Sequence, residues 1–168
     1  MKRIMIVGGS GSGKSTLARQ LGEKLDLPVF HMDREVHWLP GWVERSKAEK
    51  LPLVAEIVSR ETWVFEGGHS ASYQMRLERA EFLVWTDAPF LVRIWRVIRR
   101  SFVDLGQTRP DMADGCPESP SQLPAFLKYL LTHRRKIDRR LEDLFDGAKI
   151  PKCRLRSWRE INDFLNSL

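Results

Sequence analysis

The sequence predicts an α/β fold in which a parallel β-sheet is covered by helices on both faces. Short apolar runs alternate with longer amphipathic stretches along the chain. The runs are nearly apolar throughout, as strands buried on both sides are. The first run passes through a glycine-rich turn directly into a helix, the unit from which such sheets are wound.

In chain order, RIMIV at residues 3 to 7 reads as a strand, GGSGSG as a turn and KSTLARQLGEKL as a helix. Leu17, Ala18, Leu21 and Leu25 form that helix's buried stripe. A second short strand, PVFHM, ends at Asp33, and HWLPGW is a turn. Residues 46 to 60 read as an amphipathic helix on Ala48, Leu51, Val54, Ala55 and Val58, with Pro52 demanding an early position or a kink. TWVF is a third strand, stopped by Glu66, Gly67 and Gly68, and EFLVWTD is a fourth. Thr86 or Asp87 is placed to cap the next helix, which Pro89 helps to start and which runs to about residue 105. Another helix follows from about 121 to 146, then a last strand near KCRLR and a last helix near WREINDFLNSL.

Length and composition bound the rest. With 168 residues, the expectation is a single domain over 1–168, large enough to bury a core without disulfide or metal staples. Apolar residues at 42% and charged residues at 30% exclude a disordered chain. No apolar run reaches the roughly 18 residues of a membrane span, and MKRIMIV reads as a buried strand and not a signal peptide. Cys116 and Cys153 match neither a disulfide framework nor metal spacing, which points to a reducing cytoplasm. The net charge of +6 is localised: residues 1 to 89 carry 12 Lys/Arg against 12 Asp/Glu, whereas 93 to 140 carry 11 against 5. A nucleic-acid footprint has that pattern, and so does a site that closes over a polyphosphate.

One motif decides the chemistry. Gly8, Gly13, Lys14 and Ser15 satisfy G-x-x-x-x-G-K-[ST] between a strand and a helix, the context that gives the pattern its meaning. Across Gly8, Gly9, Ser10, Gly11, Ser12, Gly13, Lys14, Ser15 and Thr16, glycines let successive backbone N–H groups face one concavity, and the helix adds its positive end. Lys14 supplies a cation for the outer phosphates of ATP, and the Ser15 hydroxyl is a candidate Mg2+ ligand. No N-K-x-D base-reading motif of a GTPase occurs, and the length leaves little room for a motor's added modules. A small-substrate kinase fits best.

A kinase needs a cover that keeps water from the phosphoryl group. Residues 106 to 120, GQTRPDMADGCPESP, hold three prolines and two glycines between two basic helices and read as that lid. On the preceding helix Leu91, Trp95, Ile98 and Phe102 form the apolar stripe, while Arg93, Arg96 and Arg100 share another face. On the following helix Leu123, Leu127, Leu130, Ile137, Leu141 and Leu144 form a stripe on which Arg134 falls. Arg99, Arg100, Arg109, Arg134 and Arg135 are thus candidate phosphate clamps, with Arg109 best placed to reach the transferring group on closure.

Asp33, Glu66 and Asp87 end strands, where a parallel sheet borders its ligand crevice. Asp33, beside Trp38 and Trp42, is a candidate general base and acceptor contact, with Trp38 a candidate ring platform. Glu66 is a candidate for orienting Mg2+ waters or acceptor, and Gly67 lets a ligand approach the backbone. Asp87 is explained by helix capping. Arg76 either holds an acceptor phosphate or makes a surface ion pair with an acid such as Glu78. His31, His37, His69 and His133 show no metal spacing, although His69 follows the glycine pair closely enough to touch substrate.

Together GGSGSGKSTLARQL, HMDREVHWLPGW, WVFEGGHS with RLERAEFLVWTDAP, and TRPDMADGCPE resemble the small P-loop proteins described as adenylate-kinase-related or DNA topology modulation (FlaR-like) proteins. The resemblance covers nearly the whole chain, and its lid motif discriminates most. It implies a three-layer P-loop NTPase fold of nucleoside-monophosphate-kinase type: a five-stranded parallel sheet in the order 2-3-1-4-5, an ATP site, an acceptor site and a lid. Glu66-Gly67-Gly68-His69 stands where the family pattern has Asp-Gly-Asn-Tyr, and the Phe-Pro-Arg continuation of adenylate kinases proper is missing, so AMP is not assigned. The expected activity is ATP- and Mg2+-dependent transfer to a nucleotide, nucleoside or other hydroxyl compound. A nucleic-acid-associated ATPase is the rival, and a non-catalytic nucleotide-dependent regulator a third reading.

Overall fold

The computed structural model describes residues 1–168. Five parallel strands form the sheet: β1 (Arg3–Gly8), β2 (Val29–His31), β5 (Trp63–Glu66), β6 (Phe82–Thr86) and β7 (Lys152–Leu155), in the order β2-β5-β1-β6-β7. Counted among themselves these strands run 2-3-1-4-5. The remaining two, β3 (Trp38–Leu39) and β4 (Val43–Glu44), pair antiparallel as a small hairpin outside the sheet. The helices are α1 (Lys14–Leu25), α2 (Lys47–Ser59), α3 (Tyr73–Arg79), α4 (Phe90–Val103), α5 (Leu123–Gly147) and α6 (Trp158–Asn166).

The strands are apolar on both faces because both faces are covered. Ile4, Ile6, Val64, Val84 and Leu155 pack with Leu17, Leu21 and Ile161 of α1 and α6. The alternate residues Met5, Val7, Trp63, Phe65, Leu83 and Trp85 pack with Val54, Ile57 and Val58 of α2 and Leu141 of α5. Parallel register brings the strand ends to one edge: His31 pairs with Glu66, Ile6 with Glu66, and Gly8 with Thr86. The candidate residues therefore meet at this edge.

Four local expectations change. Asp33 does not merely end a strand; it opens a single turn of π-helix, Asp33–His37, leading into the hairpin. HWLPGW is that hairpin, its turn carried by Gly41 and by Trp42 at φ 61°. Pro52 lies inside α2, beyond its first turn, and the helix start is held by a capping box of Ser46 and Glu49. Neither Thr86 nor Asp87 caps α4; Pro89 precedes its first turn, Thr86 is hydrogen-bonded to Ser12, and Asp87 is ion-paired to Arg154 at 2.8 Å.

The largest correction concerns α4. Its apolar stripe faces outward: Leu91, Trp95 and Phe102 are 79%, 61% and 60% exposed. Arg93, Val97 and Ser101 face inward instead. The reason lies under the helix. Arg93 donates from Nε to the Ser10 carbonyl at 3.2 Å, and Arg96 donates to the Gly11 carbonyl at 3.3 Å, so α4 is laid against the glycine loop by its cations. Gly11, at φ 76°, admits no other residue, since a Cβ there would stand 2.5 Å from the Arg93 carbonyl oxygen.

A candidate phosphotransfer site under the lid

The loop from Gly8 to Gly13 wraps the start of α1. Its first turn carries no acidic side chain and no side-chain cap, so its free N–H groups and positive end face the loop's concavity. Lys14 arches back over the loop and donates from Nζ to the Gly9 carbonyl at 3.2 Å. Ser12 is buried, tied to Thr86 at 2.7 Å, which fixes the loop to the end of β6. The nine loop positions identified from sequence are thus gathered round one cradle.

Ser15 connects the cradle to the acids. Its Oγ lies 3.0 Å from Glu66 Oε1 and 3.0 Å from Asp111 Oδ2. Glu66 also accepts from His31 Nδ1 at 2.8 Å, and the carboxylate partner, which only accepts, assigns the hydrogen to that nitrogen. Burial acts to raise the Glu66 pKa, but the His31 hydrogen bond and the Lys14 charge outweigh it and hold the carboxyl below its ordinary value. Asp111 is likewise held low: burial opposes its charge, and Arg109 and Ser15 more than compensate. Asp33 behaves in the opposite way. Although solvent reaches its side chain, the surrounding protein raises its pKa, and the Glu66 charge adds to the rise against weaker pulls from His37, Lys14 and Arg109.

Residues 106 to 120 fold over this cluster. Leu105 bridges Glu118, pinching the loop at its base. Met112, Ala113 and Cys116 are buried against Trp38 and Trp42, the Trp42 indole donates to the Pro117 carbonyl at 3.1 Å, and Gly41 N–H donates to the Gly115 carbonyl at 2.9 Å. Arg109 Nη1 bonds Asp111 at 2.8 Å, while its Nε lies 2.7 Å from Glu118 without hydrogen-bond alignment. Arg100 faces the same Glu118 at 3.6 Å, again unaligned. Two guanidinium groups therefore converge on one carboxylate with donors to spare, an arrangement that a phosphate would satisfy better.

Several sequence-derived candidates are not brought to the site. Arg134 is exposed on α5, paired with Asp138 at 3.5 Å and stacked 4.3 Å over Phe90, because the α5 stripe buries Leu130 and Leu141 and leaves position 134 outside. Arg99 and Arg135 are exposed too. Arg76 makes neither an acceptor contact nor a surface ion pair. It is fully buried on α3, donates to the carbonyls of Phe65 and Gly67 at 2.6 and 2.8 Å, and stacks 4.4 Å from the Phe65 ring. Burial lowers its pKa to about 10, which leaves it charged at neutral pH. Gly67 is required by packing as well: at φ 121°, a Cβ would meet Met32 Cβ at 2.4 Å. Trp38 is committed to the lid contact. Its ring stands 5.4 Å from Trp42, edge to face.

Sequence reasoning missed Asp111, Glu118 and His31 as members of the cluster. The signal for the first two was present in the lid, where an acid follows Arg109 by two residues and another closes the motif.

For Mg2+ the donor set fits a hard cation: a hydroxyl flanked by two carboxylates held in their charged form, beside a phosphate cradle. No family profile matches the chain. Cytidylate kinase of Aeropyrum pernix is 33% identical over 138 residues, covering 74% of this chain and 78% of that one. Shikimate kinase of Wigglesworthia glossinidia brevipalpis is 24% identical over 164 residues, 89% of this chain and 91% of its own. Among solved structures, shikimate kinase from Acinetobacter baumannii in complex with shikimate superimposes with a TM-score of 0.59 at 20% identity, covering 99% of this chain and 90% of that one. The glycine cradle, the sheet order and these kinships agree, and the chain belongs to the nucleoside-monophosphate-kinase-like P-loop kinases, the phosphotransferase family to which cytidylate and shikimate kinases belong.

Proposed function

We propose that the chain transfers the γ-phosphoryl group of ATP, with Mg2+, to a small acceptor: a nucleotide, nucleoside or other hydroxyl compound. The observation that carries this reading is Ser15 Oγ held 3.0 Å from both Glu66 and Asp111, one residue after Lys14 and beneath Arg109. The loop N–H groups and Lys14 hold the β- and γ-phosphates. Ser15 and Glu66 face the metal side, where Mg2+ would neutralise phosphate charge. Arg109, and Arg100 behind it, exchange Glu118 for the transferring phosphate oxygens. Asp33, with its raised pKa, accepts the acceptor's proton as the hydroxyl oxygen bonds to the γ-phosphorus and the β–γ bridging bond breaks, leaving ADP.

With Arg76 committed to Phe65 and Gly67, the acceptor side has no buried cation on α3 for a second phosphate. That favours an acceptor recognised chiefly through hydroxyl groups, near Asp33 and the exposed Arg34. The motifs shared with adenylate-kinase-related and DNA topology modulation proteins, above all TRPDMADGCPE, support that narrower kinship. The basic excess is spent in part on the phosphate site: Arg93 and Arg96 bind loop carbonyls, and Arg100 and Arg109 face Glu118. A nucleic-acid partner is therefore not favoured. No helix is long and apolar enough to cross a membrane. We place the protein in the cytoplasm, as one domain over 1–168 with its lid at about 106–120.

The test uses γ-labelled ATP and Mg2+ against nucleosides, nucleoside monophosphates, polyols and hydroxy acids. Label is expected on one acceptor class, and Lys14→Ala is expected to abolish transfer while keeping the far-ultraviolet dichroism of the folded chain. Undiminished turnover by Lys14→Ala would sink the reading. Free phosphate alone, released faster with DNA in a steeply salt-dependent way, would replace it with the ATPase.

A further inference from the structure

The two contacts at Ser15 cannot both be full hydrogen bonds. A hydroxyl carries one hydrogen, yet its oxygen has a carboxylate oxygen 3.0 Å away on each of two sides. The carboxylates also oppose one another, since two like charges stand 3.0 Å from a single oxygen. Lys14, held at the loop, and Arg109, 2.8 Å from Asp111, are cations beside them. Mg2+ takes hard oxygen ligands, and Ser15 Oγ, Glu66 Oε1 and Asp111 Oδ2 are the oxygens that would hold it here.

Glu66 comes from a strand end and is always present. Asp111 comes from the lid, 96 residues beyond Ser15, and reaches the hydroxyl only while residues 106 to 120 lie down. We propose that Asp111 is the acid through which the lid engages the metal, directly or through one of its waters, so that lid closure and metal binding are linked. The inference rests on the metal-side reading of Ser15 and Glu66 given above. Without the metal, a bound triphosphate and Glu66 both repel Asp111, and the lid closes only part of the time. With it, the same carboxylate becomes an attraction. Linkage is reciprocal: an Asp111 that draws the lid down in response to metal also tightens the metal when the lid is down. Asp111 acts as a positioning residue, and Arg109, bonded to it at 2.8 Å, is carried to the transferring group by the same movement.

Cys116 reports lid opening. It is buried in the lid, its Sγ donating to the Leu39 carbonyl at 3.3 Å, whereas burial pushes the Cys153 thiol up to about 12 and makes it slow to alkylate. The experiment measures alkylation at Cys116 by peptide mass, with a non-hydrolysable ATP analogue alone and with added Mg2+. It also measures Mn2+ affinity of the analogue complex by electron paramagnetic resonance. In the wild type, metal is expected to slow alkylation at least tenfold beyond the analogue alone. In Asp111→Asn the analogue's own protection remains, the metal-dependent increment disappears, and Mn2+ binds about ten- to a hundredfold more weakly. Asp111→Glu is expected to recover part of both. An Asn variant that keeps the metal increment and the Mn2+ affinity overturns the proposal. So does equal loss of protection with and without metal, which would mean that Asp111 merely braces Arg109. If the wild type binds no analogue, the kinase reading itself falls, and this inference with it.

Discussion

Arg76 shows how much one side chain decides here. Its guanidinium ties the end of β5 to α3 through two carbonyls, and no carboxylate lies within ion-pair distance of it. Arg76→Met keeps the length and removes both donors, leaving two buried acceptors unmet at about 1–3 kcal/mol each. Loss of the buried charge's own desolvation cost offsets part of this, so urea unfolding is expected to show destabilisation of about 2–4 kcal/mol. A variant as stable as wild type would show that the carbonyls find water. The residues legible in the sequence were those with a local pattern: Gly8 to Thr16 from the loop motif, Glu66 and Asp33 from their places at strand ends. Arg76 was visible but its direction was not, because the strands that bury it are set by distant pairing. Asp111 and Glu118 were signalled only by their places in the lid motif beside Arg109; the folding back of the lid gives them their partners.

At the scale of elements, α4 was legible as a helix and misread as a packing unit. Its stripe of Leu91, Trp95 and Phe102 has the spacing of a core face, and periodicity alone does not say which face the rest of the molecule covers. The glycine loop offers carbonyls, and carbonyls attract Arg93 and Arg96. Leu91→Ser with Trp95→Ser is therefore expected to change stability by less than about 0.5 kcal/mol, whereas Val97→Ala, on the buried side, costs about 2 kcal/mol. Paired thermal melts check this, and the reverse ranking would restore the sequence-based orientation. α3 escaped notice for a different reason. Its seven residues give two turns, too few for a period to stand out.

Over the whole molecule, the parallel sheet and its covering helices were readable from alternation, and the strand order followed from the resemblance. Placement of the charges gives the fold its pH response. His69 has its pKa lowered to about 4, first by burial and then by the charge of His37. An unfolded histidine takes up a proton near 6.5 and the folded one only near 4, so stability falls as pH drops through that window. Glu66 and Asp111, both held low, lose their contribution further down, as pH falls below the ordinary carboxylate values. Asp33, raised, acts with the opposite sign and relieves part of the loss. Melting temperature is expected to decline from pH 6.5 to 4, and His69→Gln to flatten the upper part of that decline. An unchanged slope in the variant would remove His69 from the account.

The bridge between Leu105 and Glu118 bears on how little a ligand must do to shut the lid. Gly106 N–H also donates to the Glu118 carbonyl at 2.9 Å, and Glu118 N–H to that of Gln107 at 3.0 Å, so the segment's two ends are already joined. The entropy of closing that loop is lost once, during folding, and not again at each turnover. A lid that swings over the phosphates would then move as a small hinged body, seated on Trp38 and Trp42 of the hairpin through Met112, Ala113 and Cys116. A tethered body of this kind leaves more of the nucleotide's binding energy available for orienting Arg109, and less is consumed in making a disordered strand hold still.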